Sequence, residues 1–356
     1  MNTYIYKAGL STNEIKEFCG DQQIAKLSSN ENPFGPSLLA ITAAGNELTN
    51  ANIYPPRNDN SLKAALAQFH GNGLSSDNFF SANGGVEVIS LIEDTLIKKN
   101  ERAIVTPPCF GAYISSLTQK GVKIDKAPLL DGTFDVDVDA ILNAITKTTR
   151  LVYLCNPNNP TGTYFGDSVL DAILNGLPDH VTLIYDELYY QFATRDNLPD
   201  AQKHVRDGRN IVIIHSFSKA YGLAGMRIGY GIAPSDLVKK IELKKRSFHI
   251  NAGSMSAAIA ALKDEDHLKK TVDNNTTEVP KITAAIHKMG LTVSPTQANL
   301  IMFKCPKGKT AEKITASLLS HGVMVRPAFF LPDHVRVSVG KPDENQKFLI
   351  ALAKLV

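Results

Sequence analysis

Cysteine is scarce in this chain: Cys19, Cys109, Cys155 and Cys305 lie far apart, with no CxxC spacing. That argues against a disulfide framework or a spaced zinc site, so no metal is expected; it fits reduced thiols in a cytosolic protein. Charge of either sign is also lacking in excess. Against 38 Lys and Arg stand 35 Asp and Glu, for a net charge of +3, and no basic block carries interleaved aromatics. Nucleic acid and membrane surfaces are therefore not expected partners. No apolar run is long enough to span a bilayer. The first residues, Met1-Asn2-Thr3-Tyr4-Ile5-Tyr6-Lys7, lack a basic segment followed by an apolar one, so secretion is not indicated and a cytoplasmic location is expected. Internal repeats and low-complexity segments are absent.

What is present is an ordinary globular composition, 43% hydrophobic over 356 residues, long enough for two domains and a sizeable core. Residues 1–30 read as a polar arm with one short helix near 12–18, joining the smaller domain. Across 31–245, strands and helices alternate, with the clearest strands at 102–106, 151–155, 181–187, 211–216 and 228–233. Alternation of this kind predicts an α/β fold, a mostly parallel sheet covered by helices on both faces. Residues 246–356 mix helices at 281–289 and 310–321 with strands at 299–303, 323–326 and 335–339, an α+β pattern for a second, smaller domain.

Chemistry concentrates where apolar runs end. Ser216-Phe217-Ser218-Lys219 follows the strand-like Ile211-Val212-Ile213-Ile214-His215, and Arg227 comes eight residues after the lysine. A lysine leaving a buried strand can be desolvated, which lowers its pKa and frees its lone pair for Schiff-base chemistry. The serines and the arginine supply donors for a phosphate. Lysine plus phosphate cradle suggests pyridoxal 5'-phosphate (PLP), although a strand–loop–helix junction with a chance lysine would read alike. Val181-Thr182-Leu183-Ile184-Tyr185-Asp186-Glu187 is a second apolar strand ending in acid, with Asp186 placed to keep a pyridine nitrogen protonated. Tyr189 and Asn159, the latter in Asn156-Pro157-Asn158-Asn159-Pro160-Thr161-Gly162, offer donors for the ring oxygen. Gly84 and Gly85 precede a helical stretch at 86–98 that Val86 opens, a turn suited to an anion.

In the order and spacing of these elements the chain resembles the fold-type I PLP enzymes of the class I/II aminotransferase group, over nearly its whole length. The resemblance implies that Lys219 is the Schiff-base lysine and proton shuttle. It places Asp186 on the pyridine nitrogen and Asn159 and Tyr189 on the ring oxygen. The phosphate falls to Ser216, Ser218, Arg227 and the Gly84-Gly85-Val86 turn. Phe110 aligns with the aromatic that stacks on the ring; Tyr113 has a lesser claim. Leu27-Ser28-Ser29-Asn30-Glu31-Asn32-Pro33-Phe34-Gly35-Pro36 is most similar to the histidinol-phosphate aminotransferase branch. Tyr54, before Pro55, resembles that branch's tyrosine reaching the neighbouring subunit's cofactor, which implies a homodimer. Tyr6, Asn32, Arg326 and Arg336 fall at substrate-contacting positions. Arg336 is expected to be the common anion clamp for the donor and for 2-oxoglutarate, with Arg326 and Tyr6 completing the distal pocket.

The donor implied is L-histidinol phosphate or a similar amine. Two departures keep other donors open. Asn83-Gly84-Gly85-Val86-Glu87 has the Asn-Gly-x-x-Glu form found in related threonine-phosphate decarboxylases, so a decarboxylase is one alternative. The loop 327–334 is short and carries Phe329 and Phe330, which favours an aromatic amino acid donor as another. A third reading, the aminotransferase-like effector domain of a transcription regulator, needs a DNA-binding helix-turn-helix, and no room for one is seen before Asn30.

Overall fold

The computed structural model describes residues 24–356; Tyr6, Cys19 and the expected helix near 12–18 lie outside the described residues. A two-residue strand, β1 (Ala25–Lys26), opens the described chain. Seven strands then form the main sheet: β2 (Phe79–Ala82), β3 (Arg102–Val105), β4 (Lys123–Lys126), β5 (Thr149–Cys155), β6 (Thr182–Asp186), β7 (Ile211–Ser216) and β8 (Gly229–Ile232). Their order across the sheet is β2-β8-β7-β6-β5-β3-β4. The pairs among β3 to β7 are parallel, while β8 runs antiparallel to both β7 and β2.

Side-chain alternation along the central strands explains why the sequence reads as continuous apolar runs. Val152, Leu154, Leu183, Tyr185, Ile211 and Ile213 enter one core. Their neighbours Leu151, Tyr153, Ile184, Val212 and Ile214 enter another. Period-two alternation sends them to opposite faces, and both faces are dry, as a parallel sheet requires. Each fully buried aliphatic side chain contributes roughly 1.5–3 kcal/mol of transfer free energy.

A third core gathers Ala25 and Leu27 with residues between 282 and 352. It packs on a three-stranded antiparallel sheet of β9 (Leu300–Lys304), β11 (Arg326–Pro327) and β12 (His334–Ser338), in the order β11-β12-β9. The strand expected over 323–326 divides at Val325. Val323–Met324 (β10) pairs in parallel with β1, whereas Arg326 pairs opposite Arg336 in the other sheet. The helix expected over 281–289 is the end of a longer one, Glu265–Lys288, which runs through Pro280. Its buried positions Thr271, Asn275, Glu278, Ile282 and Ile286 follow the helical repeat on both sides of the proline. Packing along this stripe offsets the cost of about 3 kcal/mol for an interior proline. Among the described residues, no helix is long and apolar enough to cross a membrane.

Candidate active site

The carboxyl ends of β5, β6 and β7 converge on one cavity of about 380 Å³. In register, Cys155 pairs with Asp186, and Asp186 with Ile214 two residues before Ser216. Parallel strands thus deliver the residues that end each apolar run to the same edge, where open α/β sheets bind ligands.

Lys219 lies at this edge with its Nζ donating to the Ser29 carbonyl at 2.9 Å. Burial first, then the Arg336 guanidinium, lowers its pKa to about 8. A fraction of the amine is therefore neutral near pH 7, as a nucleophile or proton carrier needs. Asp186 is 3% exposed. Burial raises its carboxyl to about 6, against hydrogen bonds from the Tyr113 hydroxyl and the Leu188 amide that favour the ionised form.

Asn159, Tyr189 and Arg336 form one bonded unit. Asn159 Nδ2 donates to Tyr189 Oη at 3.1 Å, and Asn30 Nδ2 donates to the same oxygen at 2.9 Å. With both donors on its oxygen, the tyrosine must direct its own O–H elsewhere. Arg336, 3% exposed, donates to Asn159 Oδ1 at 2.8 Å and to the Ser28 carbonyl at 2.5 Å. Phe329 lies beneath both arginines, its ring centroid 4.5 Å from Arg326 Cζ and 5.7 Å from Arg336 Cζ. Arg326 lines the same cavity.

A polar cup lies at the other end. The helix Gly85–Leu96 begins there, and its first amides have no intrahelical carbonyl to bond. Ser216 and Ser218 hydroxyls are 2.9 Å apart, and the Ser218 amide donates to Ser216 Oγ at 3.1 Å. Arg227, with φ 53°, brings Nη2 within 3.4 Å of the Asn83 carbonyl. Gly84 has φ 84°, and a Cβ there would overlap the Arg227 guanidinium. Glu87 folds back to accept from the Asn83 amide at 2.6 Å and from its side chain at 2.7 Å. The Asn-Gly-x-x-Glu form of the turn is thus a local brace that fixes the helix entry. Helix N-terminus, two hydroxyls and a guanidinium suit a dianionic phosphate, and a desolvated lysine and a buried carboxylate share its cavity. This donor set fits PLP.

The structure brings together Gly85, Val86, Phe110, Asn159, Asp186, Tyr189, Ser216, Ser218, Lys219, Arg227, Arg326 and Arg336 around the cavity. Asn32, expected to contact substrate, does not line this cavity. Its amide donates to the Ala220 carbonyl at 2.8 Å and to Thr271 Oγ1 at 2.9 Å, which makes it a buried brace for the loop after Lys219. Tyr54 also stands apart, 81% exposed, with its ring stacked 5.0 Å from that of Phe248. Ser29, Asn30, Glu31 and Lys26 do line the cavity. In sequence this segment reads as a family signature with a role only for Asn32, because alternation does not reveal which side chain of an irregular loop faces inward.

The aminotransferase class I and II family matches residues 22–352. The chain belongs to that family. This aminotransferase is 36% identical over 335 residues to the histidinol-phosphate aminotransferase of Akkermansia muciniphila, covering 94% of this chain and 90% of that one. The Geobacillus sp. histidinol-phosphate aminotransferase is 35% identical over 353 residues, covering 99% and 95%. Among solved structures, histidinol-phosphate aminotransferase from Sinorhizobium meliloti in complex with pyridoxal-5'-phosphate superposes with a TM-score of 0.89 at 26% identity, over 98% of this chain and 95% of that chain. Aspartate aminotransferase from Thermus thermophilus with maleate shares the fold, with a TM-score of 0.83 at 19% identity over 98% and 100%.

Proposed function

We propose that this aminotransferase moves an amino group between L-histidinol phosphate, or a similar donor, and 2-oxoglutarate. Its cofactor is PLP, which when bound supplies an electron sink for the pair left as the donor's α proton departs. Asp186 faces the ring nitrogen in this reading, and its carboxylate favours the protonated ring. Tyr189 turns its O–H, and Asn159 its amide, toward the ring oxygen, while Phe110 covers the ring. The phosphate is held by the Gly84-Gly85-Val86 turn, Ser216, Ser218 and Arg227. Lys219 Nζ would anchor the cofactor and, once free, would take the proton from the donor's α carbon and deliver it to the cofactor's C4' carbon.

The observation that carries the donor assignment is the pair Arg326 and Arg336, opposite one another on β11 and β12 and lining the cavity that holds Lys219. A planar guanidinium grips phosphate or carboxylate through two parallel bonds, so one clamp can serve two anionic substrates in turn. Near-full-length similarity to histidinol-phosphate aminotransferases supports the same donor. Phe329 in the cavity wall supports a second reading, an aromatic amino acid as donor.

The reading extends to the assembly: a cytoplasmic homodimer in which Tyr54 reaches the neighbouring site. Its exposure, and that of Leu38, Ile53 and Leu243, supports an apolar contact between copies. It divides the chain into an arm (1–30), a large domain (31–245) and a small one (246–356).

The deciding experiment mixes PLP-loaded protein with L-histidinol phosphate and no oxo acid. One equivalent of the corresponding oxo product per site, by mass spectrometry, is expected. Conversion with phenylalanine alone would transfer the assignment to aromatic donors, and carbon dioxide release from phosphothreonine would transfer it to decarboxylation.

A further inference from the structure

A buried aromatic pair lies directly behind Asp186. Tyr113 is in the first turn of the helix Gly111–Gln119, whose N-cap is Phe110. That short helix therefore serves the site twice, with Phe110 lining the cavity and Tyr113 buried behind it at 1% exposure. The Tyr113 hydroxyl donates to Asp186 Oδ2, and the Leu188 amide donates to Oδ1 at 3.1 Å. The Tyr113 ring stacks on Tyr153, with centroids 4.9 Å apart and planes 29° from parallel. Tyr153 in turn donates to Glu93 Oε1 at 2.9 Å, and Ser116 donates to the other oxygen of the same carboxyl. Glu93 is fully buried on the helix Gly85–Leu96, the helix whose first turn enters the phosphate cup.

We propose that Tyr113 is the positioning residue for Asp186, its hydroxyl fixing the carboxylate in the ionised form and in one rotamer. The inference rests on the reading of Asp186 as partner of the cofactor's ring nitrogen. An unassisted carboxylate at this depth is driven toward its neutral form by desolvation. A phenol O–H counters that, because it donates to an ionised carboxylate more strongly than to a neutral acid. The phenol itself does not compete for the charge: burial and the nearby Asp186 raise its pKa well above the ordinary value. With one oxygen engaged by Tyr113 and the other oriented by Leu188, the remaining lone pairs face the cavity in a fixed direction. Loss of the hydroxyl shifts the shared proton from the ring nitrogen toward the carboxyl. The stack of the two rings keeps the Tyr113 ring from swinging away.

The test compares Tyr113→Phe, Tyr153→Phe and Asp186→Ala with the wild type. All are prepared free of cofactor and titrated with PLP labelled with ¹⁵N in the ring. Tyr113→Phe keeps the ring and its stack but removes the donor; an affinity loss of about tenfold is expected for a charge-assisted bond. The ring-nitrogen resonance is expected to move toward its unprotonated position. Tyr153→Phe, which spares the Asp186 contact, should match the wild type in both readouts. Asp186→Ala should lose more than Tyr113→Phe. Wild-type behaviour of Tyr113→Phe beside a clear loss in Asp186→Ala overturns the role of Tyr113 alone. Equal losses in the two tyrosine variants make the effect one of packing and also overturn it. An unaffected Asp186→Ala would instead remove the reading of Asp186 on which the proposal stands.

Discussion

Arg336 Nη1 donates to Asn159 Oδ1 at 2.8 Å, joining β12 to the loop that follows β5. Asn159 in turn donates to Tyr189. Under the proposed function, a substrate anion that engages Arg336 would act on a group already fixed against the two residues assigned to the ring oxygen.

Arg336→Ala should impair both half-reactions, donor and 2-oxoglutarate, by roughly 30-fold or more in kcat/KM. Truncating a buried, hydrogen-bonded charge costs about 2–5 kcal/mol. Single-turnover measurements of each half separate the two, and loss in only one would show that the anions use different clamps.

Lys219→Ala should abolish covalent cofactor capture and turnover while leaving a folded protein. In the wild type, capture depends on the neutral amine. With the lysine at about 8, the capture rate should rise about tenfold per pH unit below that value and level off above it. Arg336→Ala should move the midpoint upward, since the Arg336 charge is one cause of the depression. Stopped-flow mixing of cofactor-free protein with PLP across pH 6–10 gives the profile; a midpoint near that of free lysine contradicts the desolvated amine.

Gly84→Ala should weaken PLP binding by about tenfold and lower stability by about 1 kcal/mol or more. The residue sits at φ 84°, and the added methyl displaces the Arg227 guanidinium; both effects disfavour any residue with a Cβ. Equilibrium dialysis and denaturant unfolding of the cofactor-free variant measure the two separately. Unchanged affinity would remove Arg227 and the turn from the phosphate cup.

Glu187 gives a pH signature of its own. Its Oε2 lies 2.9 Å from His215 Nε2, and burial raises its carboxyl to about 8. Its folded pKa exceeds its unfolded one, so the native state holds the proton more tightly. The associated stability is fully present below the ordinary glutamate value and is lost as pH rises through about 8. Relative to Glu187→Gln, which does not titrate, the wild type should lose up to about 1.4 kcal/mol per pH unit across that window. Urea midpoints at pH 5, 6, 7 and 8 test it. Parallel curves for the two proteins would mean the carboxyl is ionised throughout.

The ends of the apolar runs were legible in the sequence because a buried strand can place polar groups only where it leaves the core. That is why Asp186, Ser216 and Lys219 stand out from their flanking Ile, Leu and Val, and why the turn residues Asn159 and Gly84 announce themselves. Sequence by itself determined a parallel sheet with a reactive edge, and the shared motifs determined the family.

Tertiary structure decided which loop residues face the cavity. Asn30, not Asn32, meets Tyr189, because β12 holds it through Ser338 Oγ, which accepts from the Asn30 amide at 2.7 Å. The split at Val325 likewise depends on two separate partners, β1 and β12. Arg336 reads as an alternating strand residue, and only the packing of Ser28, Asn159 and Phe329 around it makes it a buried charge. Tyr113 reads only as a lesser candidate for the stacking aromatic until the fold sets it against Asp186, 73 residues away. Each of these depends on contacts between segments distant in sequence, which local propensity and periodicity do not encode.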